Sequence, residues 1–371
     1  MADMNTMPAG AGRAPHEGAT RFQERMRGAL LSLGGGAGGM IVIFFISLLA
    51  VVLLIFLLSR EPLKTLGLFF LGPLGNIYYF GNMLNSSIPF IFGGLGVSLA
   101  MQAGNLNLGG EGQIYSGAFV TTVLAVALAP LGLFGAVLAL LAGTVFAGLV
   151  AAFSGLCKAR WNTNELITSF LISNVLILLT NYFITGPFLD PDTSLQSTRK
   201  IGESFHLPGI LPPSNLSIAI IAALIAVVLV WLFLYRSKPG YDIRMSGLNP
   251  LFARYGGISA GISITLSMFL SGSLYGLGGG LAIYGTYYQA IKEFSSGLGW
   301  NGLAAALIAR SRPALVIPSA VFFAWIGSGA RLAMQFSDVT FEIASIVQAV
   351  IFLLVTSTVL RDLFSRRKKA L

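Results

Sequence analysis

Residues 102–113, Gln-Ala-Gly-Asn-Leu-Asn-Leu-Gly-Gly-Glu-Gly-Gln, crowd two asparagines, two glutamines and a glutamate among glycines. Apolar segments of membrane-spanning length flank them on both sides. A carboxylate near a bilayer core is costly and faces a bundle interior or a cavity. Irregular backbone at that depth survives only where protein or water satisfies its polar groups. The stretch is therefore expected to break a membrane helix beside a translocation route. A polar turn between two ordinary spans is the competing reading. Candidates for lining the route are Asn85, Gln102, Asn105, Asn107, Glu111, Gln113 and Asn174, with Thr168 and Asn181 as further polar positions. Amides and hydroxyls can hydrogen-bond a neutral polyhydroxylated solute without fixed charge. Phe90, Phe92, Tyr275 and Trp300 offer ring faces for stacking, although aromatics in a bundle more often serve packing.

The two carboxylates placed in or near spans, Glu111 and Glu165, have no catalytic partner beside them, so acid–base chemistry is not expected. Glu165 follows Asn162-Thr163-Asn164, an N-cap signal that puts it in a first helical turn, where a carboxylate suits the helix dipole. It reads as a structural carboxylate. Glu111 begins a helical run after Gly109-Gly110 and is expected to organise the break by accepting hydrogen bonds from loop amides. Cys157 is the only cysteine and the two histidines, His16 and His206, fall in separate predicted loops, so no metal site is expected. No Gly-x-x-x-x-Gly-Lys-Ser/Thr occurs, so the chain carries no phosphate-cradling loop of its own.

The elements that must position these groups are membrane helices. Of 371 residues, 55% are apolar and only 10% charged, against about a quarter charged in soluble domains. The fold class is an all-α polytopic membrane protein with about ten transmembrane helices (8–10) and a broken helix in each half. Apolar runs of suitable length fall near 39–58, 83–101, 111–129, 131–156, 163–185, 216–235, 258–284, 297–309, 314–334 and 341–360. The run 297–309 is too short to cross alone. The run 64–81, interrupted by Gly67, Gly72-Pro73 and Gly75, is expected at the interface. The second break would fall at 271–280, Ser-Gly-Ser-Leu-Tyr-Gly-Leu-Gly-Gly-Gly, although with few polar side chains that stretch reads more readily as small residues for close helix approach. Residues 1–35 form a cytoplasmic tail, 36–362 the membrane domain and 363–371 a basic cytoplasmic tail.

The net charge of +9 is explained by its distribution. With the N-terminus in the cytoplasm, 17 of the 23 Lys and Arg fall inside, and only Arg60, Lys64, Arg199, Lys200, Lys292 and Arg331 fall outside. That asymmetry fits the positive-inside rule with both termini cytoplasmic. The basic excess then reflects topology and membrane-lipid contact, and no nucleic-acid polymer is expected as a partner. Residues 186–215 form the main external loop and 236–257 the main cytoplasmic one.

Within the cytoplasmic loop, Pro239-Gly240 is expected to end the preceding element. Asn249-Pro250 starts a short helix, with Asn as N-cap and Pro at the first position. Gly256-Gly257 closes it after Tyr255. A short capped helix between two spans is a knob that can fit a partner's groove and pass rigid-body motion to both spans. Arg244 and Arg254 can pair with acidic residues on that partner.

Several of these motifs resemble one family. Asn105-Leu-Asn-Leu-Gly-Gly-Glu-Gly-Gln113 is similar to the Asn-Ile-Gly-x-Glu-Gly-Gln signature of ABC-importer permeases of the branched-chain amino acid/ribose class, nearest the nucleoside and simple-sugar uptake branch. The segment from Ile243 to Ile258 resembles that class's coupling segment, with Leu248 where Glu is usual. Gly297-Leu-Gly-Trp-Asn-Gly-Leu-Ala-Ala-Ala-Leu-Ile-Ala-Arg310 resembles its Gly-x-Gly-Phe-x-Gly run, and Asn164-Glu165 and Gly186-Pro187 also match the branch. The likeness covers about residues 80–360. It implies a non-enzymatic permease subunit that translocates a nucleoside or related sugar-like solute across a prokaryotic plasma membrane. It further implies a second permease subunit, cytoplasmic ABC ATPases that bind ATP and Mg, and an external solute-binding protein. The long N-terminal extension resembles the larger of two unlike permeases, which favours a heterodimer. Coupling to the ATPase then falls on Arg244, Gly247, Asn249, Pro250, Ala253, Arg254 and Gly256. An ion- or proton-coupled secondary transporter is the alternative, and a membrane-embedded enzyme a weaker one.

Overall fold

In the computed structural model the described residues are 59–340, with a few positions within 49–57 and 346–350. The runs 39–58 and 341–360, and both terminal tails, lie wholly or largely outside them. In chain order the helices are α1 (Pro62–Phe70), α2 (Ile77–Gln102), α3 (Gly110–Ala127), α4 (Gly132–Trp161), α5 (Glu165–Thr185), α6 (Ala219–Arg236), α7 (Lys238–Leu248), α8 (Pro250–Tyr255), α9 (Ala260–Ala282), α10 (Leu298–Ile308) and α11 (Pro313–Phe336). A π-helical turn, Ile283–Tyr287, extends α9. The described residues form no strand beyond isolated bridges, Ser197 with Ile291 and Gly209 with Ser217.

Helices α2, α5 and α8 start where an asparagine side chain satisfies a first free amide. Asn76 Oδ1 accepts from Tyr79 N at 2.8 Å, Asn164 Oδ1 from Leu166 N at 2.9 Å and Asn249 Oδ1 from Phe252 N at 3.0 Å. Among the described residues six helices are long and apolar enough to cross a membrane: α2, α4 with the turn before it, α5, α6, α9 with its π-turn, and α11. The expected runs 111–129 and 297–309 correspond to α3, whose first turns are polar, and to α10, which has only 11 residues.

Helix α2 is the axis of the bundle. Every residue from Ser87 to Ala100 is buried. A helix apolar all round belongs in a core, and α9, α10, α11 and α6 pack about it. Helix α5 is peripheral: only 22% of its most apolar stretch is buried, and Leu171, Val175 and Leu178 are exposed. The loop 186–218 is fixed across the chain that follows α9. Ile201 N donates to Tyr288 O at 2.9 Å, Leu207 N to Tyr284 O at 2.9 Å and Thr198 N to Ala290 O at 3.0 Å.

Three features differ from the sequence reading. The break expected at 271–280 is absent: α9 runs through it unbroken, and a Cβ at Gly272 would overlap the carbonyl oxygen of Ala147 on α4. Small residues here serve close packing. The chain leaves helical structure later, between Tyr288 and Gly297. Pro239-Gly240 also begins an element instead of ending one. It lies in the first turn of α7, where Pro needs no amide partner and Ser237 Oγ accepts from Gly240 N at 3.1 Å. The run 64–81 divides into α1, a tight turn and the start of α2; Trp325 Nε1 of α11 donates to Phe70 O at 3.0 Å.

Candidate functional site

The non-helical segment 103–109 joins α2 to α3 and carries the polar side chains singled out above. Gly104 supplies a left-handed turn (φ +72°) just after α2. Beyond it Asn105, Asn107 and Gln113 are each no more than 2% exposed, and all three are hydrogen-bonded to protein. Asn107 Nδ2 donates to Gln113 Oε1 (2.8 Å) and Ser271 Oγ (3.0 Å), while its Oδ1 accepts from Gly109 N (2.9 Å) and Gln113 Nε2 (3.1 Å). Asn105 Nδ2 donates to Ser267 Oγ at 3.1 Å. Two serines of α5 accept main-chain amides: Ser169 Oγ from Leu108 N at 3.1 Å and Ser173 Oγ from Gly112 N at 2.8 Å. The segment's buried polar groups thus find partners on α9 and α5, as buried amides must. The network specifies one geometry for the irregular chain.

Glu111, in the first turn of α3, reaches the start of α10. Its Oε1 accepts from Gly297 N at 3.1 Å and its Oε2 from Gly299 N at 2.8 Å. These amides belong to the helix-initial set that has no intrahelical partner. A single carboxylate therefore stands at two helix N-termini at once, where the dipoles favour negative charge. The approach is backbone to backbone: a Cβ at Gly299 would overlap the main-chain nitrogen of Glu111. Tyr275 Oη donates to Gly299 O at 3.1 Å and holds the same junction from α9.

At the other end of the segment, Lys158 Nζ on α4 bridges Asn105 Oδ1 and Glu165 Oε1, each at 2.7 Å. Both charged side chains are largely buried, at 22% and 13% exposure, so the pair is screened less than a surface bridge. Gln102 Nε2 donates to Ser311 O at 3.0 Å, joining the end of α2 to the turn after α10.

The knob packs onto this end. Helix α8 presents Leu251, Phe252 and Tyr255 outward beside Leu248, with Tyr255 92% exposed, while Ala253 is buried. Arg254 is exposed. Arg244 is engaged within the chain: its Nε donates to Leu234 O at 3.0 Å and its guanidinium lies 5.0 Å from the Tyr235 ring centre. Gly256 follows α8, and the left-handed closing residue is Gly257 (φ +78°). Gly247, near the end of α7, meets the main chain of 102–104; a Cβ there would overlap Gln102 O.

Asn85 lies apart from these groups. It lines a cavity of about 310 Å³ toward the other end of α2, with Asn82, Ser86, Thr286, Tyr287, Arg331 and Leu298, the first residue of α10, among its walls. Phe90 also reaches it, whereas Phe92 and Tyr275 are core residues. Asn174 is exposed on α5 and donates back to Phe170 O at 2.8 Å. Trp300 is 41% exposed, its ring 6.3 Å from that of Phe170. Asn181 Oδ1 accepts from Tyr115 Oη at 2.6 Å. Sequence reasoning gave no role to Lys158, Asn82, Ser86, Thr286 or Arg331. A signal existed for two: Asn82, Asn85 and Ser86 stand at i, i+3 and i+4, one polar stripe on an otherwise apolar helix. Lys158 and Arg331 were absorbed into the charge balance.

Comparison with known proteins gives the class. The family described as branched-chain amino acid transport system / permease component matches residues 79–356. The probable riboflavin import permease of Treponema pallidum is 33% identical over 82% of this chain and 81% of its own length. The guanosine ABC transporter permease of Bacillus subtilis is 32% identical over 80% and 87%, and the glucose ABC transporter permease of Haloferax volcanii 29% over 81% and 82%. No solved structure matches. With the family matched along most of its length and apolar helices to cross a membrane, this multi-pass chain belongs to the branched-chain amino acid transport system / permease component family.

Proposed function

We propose that the chain is the membrane-spanning permease subunit of an ATP-binding-cassette importer for a nucleoside or related ring-bearing or sugar-like solute. Its relatives' names, which cover riboflavin, guanosine and glucose, support that range of solutes. Both termini and the knob face the cytoplasm. The ATPases that bind ATP and Mg are separate subunits, an external binding protein delivers the solute, and a second, unlike permease completes the membrane core.

The observation that carries the reading is the seat of Gly247 against Gln102 and Gly104. A knob with exposed Leu248, Leu251, Phe252 and Tyr255 suits an apolar groove on an ATPase, with Arg254 at its edge. Movement of that knob reaches the 103–109 segment without an intermediary. From there it passes through α3 to Glu111 and the start of α10. In this reading 103–109 and 288–297 are two half-crossings from opposite faces, and their helices, α3 and α10, meet at mid-depth on Glu111.

Reconstitution tests this. Proteoliposomes holding the chain, its ATPase and a second permease should import a labelled nucleoside or sugar only with ATP and binding protein. The chain alone should not concentrate solute under a proton or sodium gradient. Gradient-driven accumulation by the single chain would replace this reading with a secondary transporter.

A further inference from the structure

The cavity around Arg331 is biased toward donors. Asn82 and Asn85 could present amide oxygens to it, but both oxygens are engaged by the loop that closes the cavity: Asn82 Oδ1 accepts from Asn215 N at 2.9 Å, and Asn85 Oδ1 faces Ser217 N at 3.5 Å. Asn85 Nδ2 in turn donates to Thr286 Oγ1 at 2.9 Å, which leaves the threonine proton free to donate. Asn82 keeps its NH₂ group and Tyr287 its hydroxyl. Arg331 donates through Nη2 to Ser328 Oγ at 2.8 Å and Ser86 Oγ at 3.2 Å, which hold the side chain in place. No Asp or Glu lines the cavity, and Arg331 makes no ion pair among the described residues.

Arg331 is exposed at the edge of the cavity, and no Asp or Glu among the described residues pairs with it. Both Nη2 hydrogens are taken by the two serines, so Arg331 keeps Nη1 and Nε as donors, and the Asn82 amide group is a second donor lining the same cavity. A solute with adjacent acceptors, such as a carboxylate, a phosphate or the O6/N7 edge of guanine, can use both. A volume of about 310 Å³ suits one ring system, at the small end of ligand pockets. Phe90 and Tyr287 supply apolar surface.

We propose that this cavity is a subsite, held within one subunit, for the acceptor edge of the imported ring solute: adjacent carbonyl and ring-nitrogen acceptors, as on a 6-oxopurine. The assignment rests on nucleoside-type import as proposed above. Arg331 reads the edge, with Asn82, Thr286 and Tyr287 as further donors. An amino group in place of the carbonyl brings its protons against the guanidinium and is rejected. Its walls include residues from the start of α2 and the end of α11 together with Leu298, which lies between the two glycines whose amides Glu111 holds. A solute seated there therefore touches the start of α10 directly.

The test uses the assembled transporter in proteoliposomes, with Asn215→Cys in a Cys157→Ser background, since Asn215 lines the cavity, is exposed and contributes only its main-chain amide to the loop. A membrane-impermeant thiol reagent should label position 215 from outside. Guanosine should protect it at a concentration about 10-fold lower than adenosine, and Arg331→Gln should erase that difference while Arg331→Lys restores part of it. Equal protection by both nucleosides, a difference that survives Arg331→Gln, or no labelling from outside would each overturn the subsite. ATP-driven uptake is measured on the same vesicles. Guanosine uptake without selective protection removes the subsite and leaves the importer standing; absence of any ATP-driven nucleoside uptake removes both.

Discussion

The carboxylate of Glu111 holds the amide of Gly299 at 2.8 Å, so the first turn of α3 caps the first turn of α10. Two helices separated by nearly 190 residues begin at one point because their amides share one acceptor. Glu111→Ala removes the partner of two part-buried amides at once. Each unmade bond costs about 1–3 kcal/mol, so unfolding in detergent should show a loss of roughly 2–5 kcal/mol. Glu111→Gln keeps an acceptor oxygen and should cost about half as much. If the alanine variant unfolds like the parent, the junction is held by packing alone.

Lys158 and Glu165 provide a second lock, at the end of the segment nearest the knob. A double-mutant cycle with Lys158→Met and Glu165→Gln should return a coupling of about 1–3 kcal/mol. Lys158→Met should be the more damaging single change, since it also strips Asn105 Oδ1 of its donor. Additive effects would mean that the pair does not hold 103–109 in place.

Gly247 is the contact between knob and segment. Gly247→Val should spare insertion and ATPase docking, because α8 is untouched, yet cut solute uptake by at least 10-fold while ATP turnover continues. Arg254→Ala should instead weaken ATPase co-purification and lower uptake and turnover together. Normal solute-stimulated turnover in a folded Arg254→Ala complex would remove that residue from the docking surface.

Asp338 ties the end of α11 to the chain before α1. The Ser59 hydroxyl, and then the Arg60 amide, hold its carboxyl below the ordinary aspartate value. A carboxyl with a lowered folded value stabilises above its unfolded value, about 3.9, and that contribution is lost as pH falls through the lower folded value. Asp338→Asn should therefore shift the melting temperature slightly at pH 7 and leave it unchanged near pH 2. A shift of equal size at both pH values would exclude the charge.

Much of the arrangement was legible in the chain because it rests on local chemistry. Asn249-Pro250 and Asn164-Glu165 announce helix starts through caps that need no tertiary context, and both form as read. The acceptor role of Glu111 followed from a carboxylate among glycines, but the identity of the amides at 297 and 299 did not, because nothing local links them. The glycines of 271–280 left two readings open for a related reason: whether a glycine breaks a helix or lets another helix approach depends on the neighbour, here α4, and the close approach that their few polar neighbours favoured is what forms. Arg331 and Lys158 were hidden because a charge near a helix end reads as topology until its surroundings are seen.

Coupling in this subunit requires that motion at the knob reach the 103–109 segment. Leu106 is half-buried and outside the hydrogen-bond network, so Leu106→Cys in a Cys157→Ser background can report on it. Its rate of reaction with a small aqueous thiol reagent should be measured in the reconstituted transporter, with and without ATP. The account predicts a rate that changes several-fold between the two states, and no change once Gly247→Val is added. A transport-competent complex whose rate at 106 is identical in every nucleotide state would contradict it.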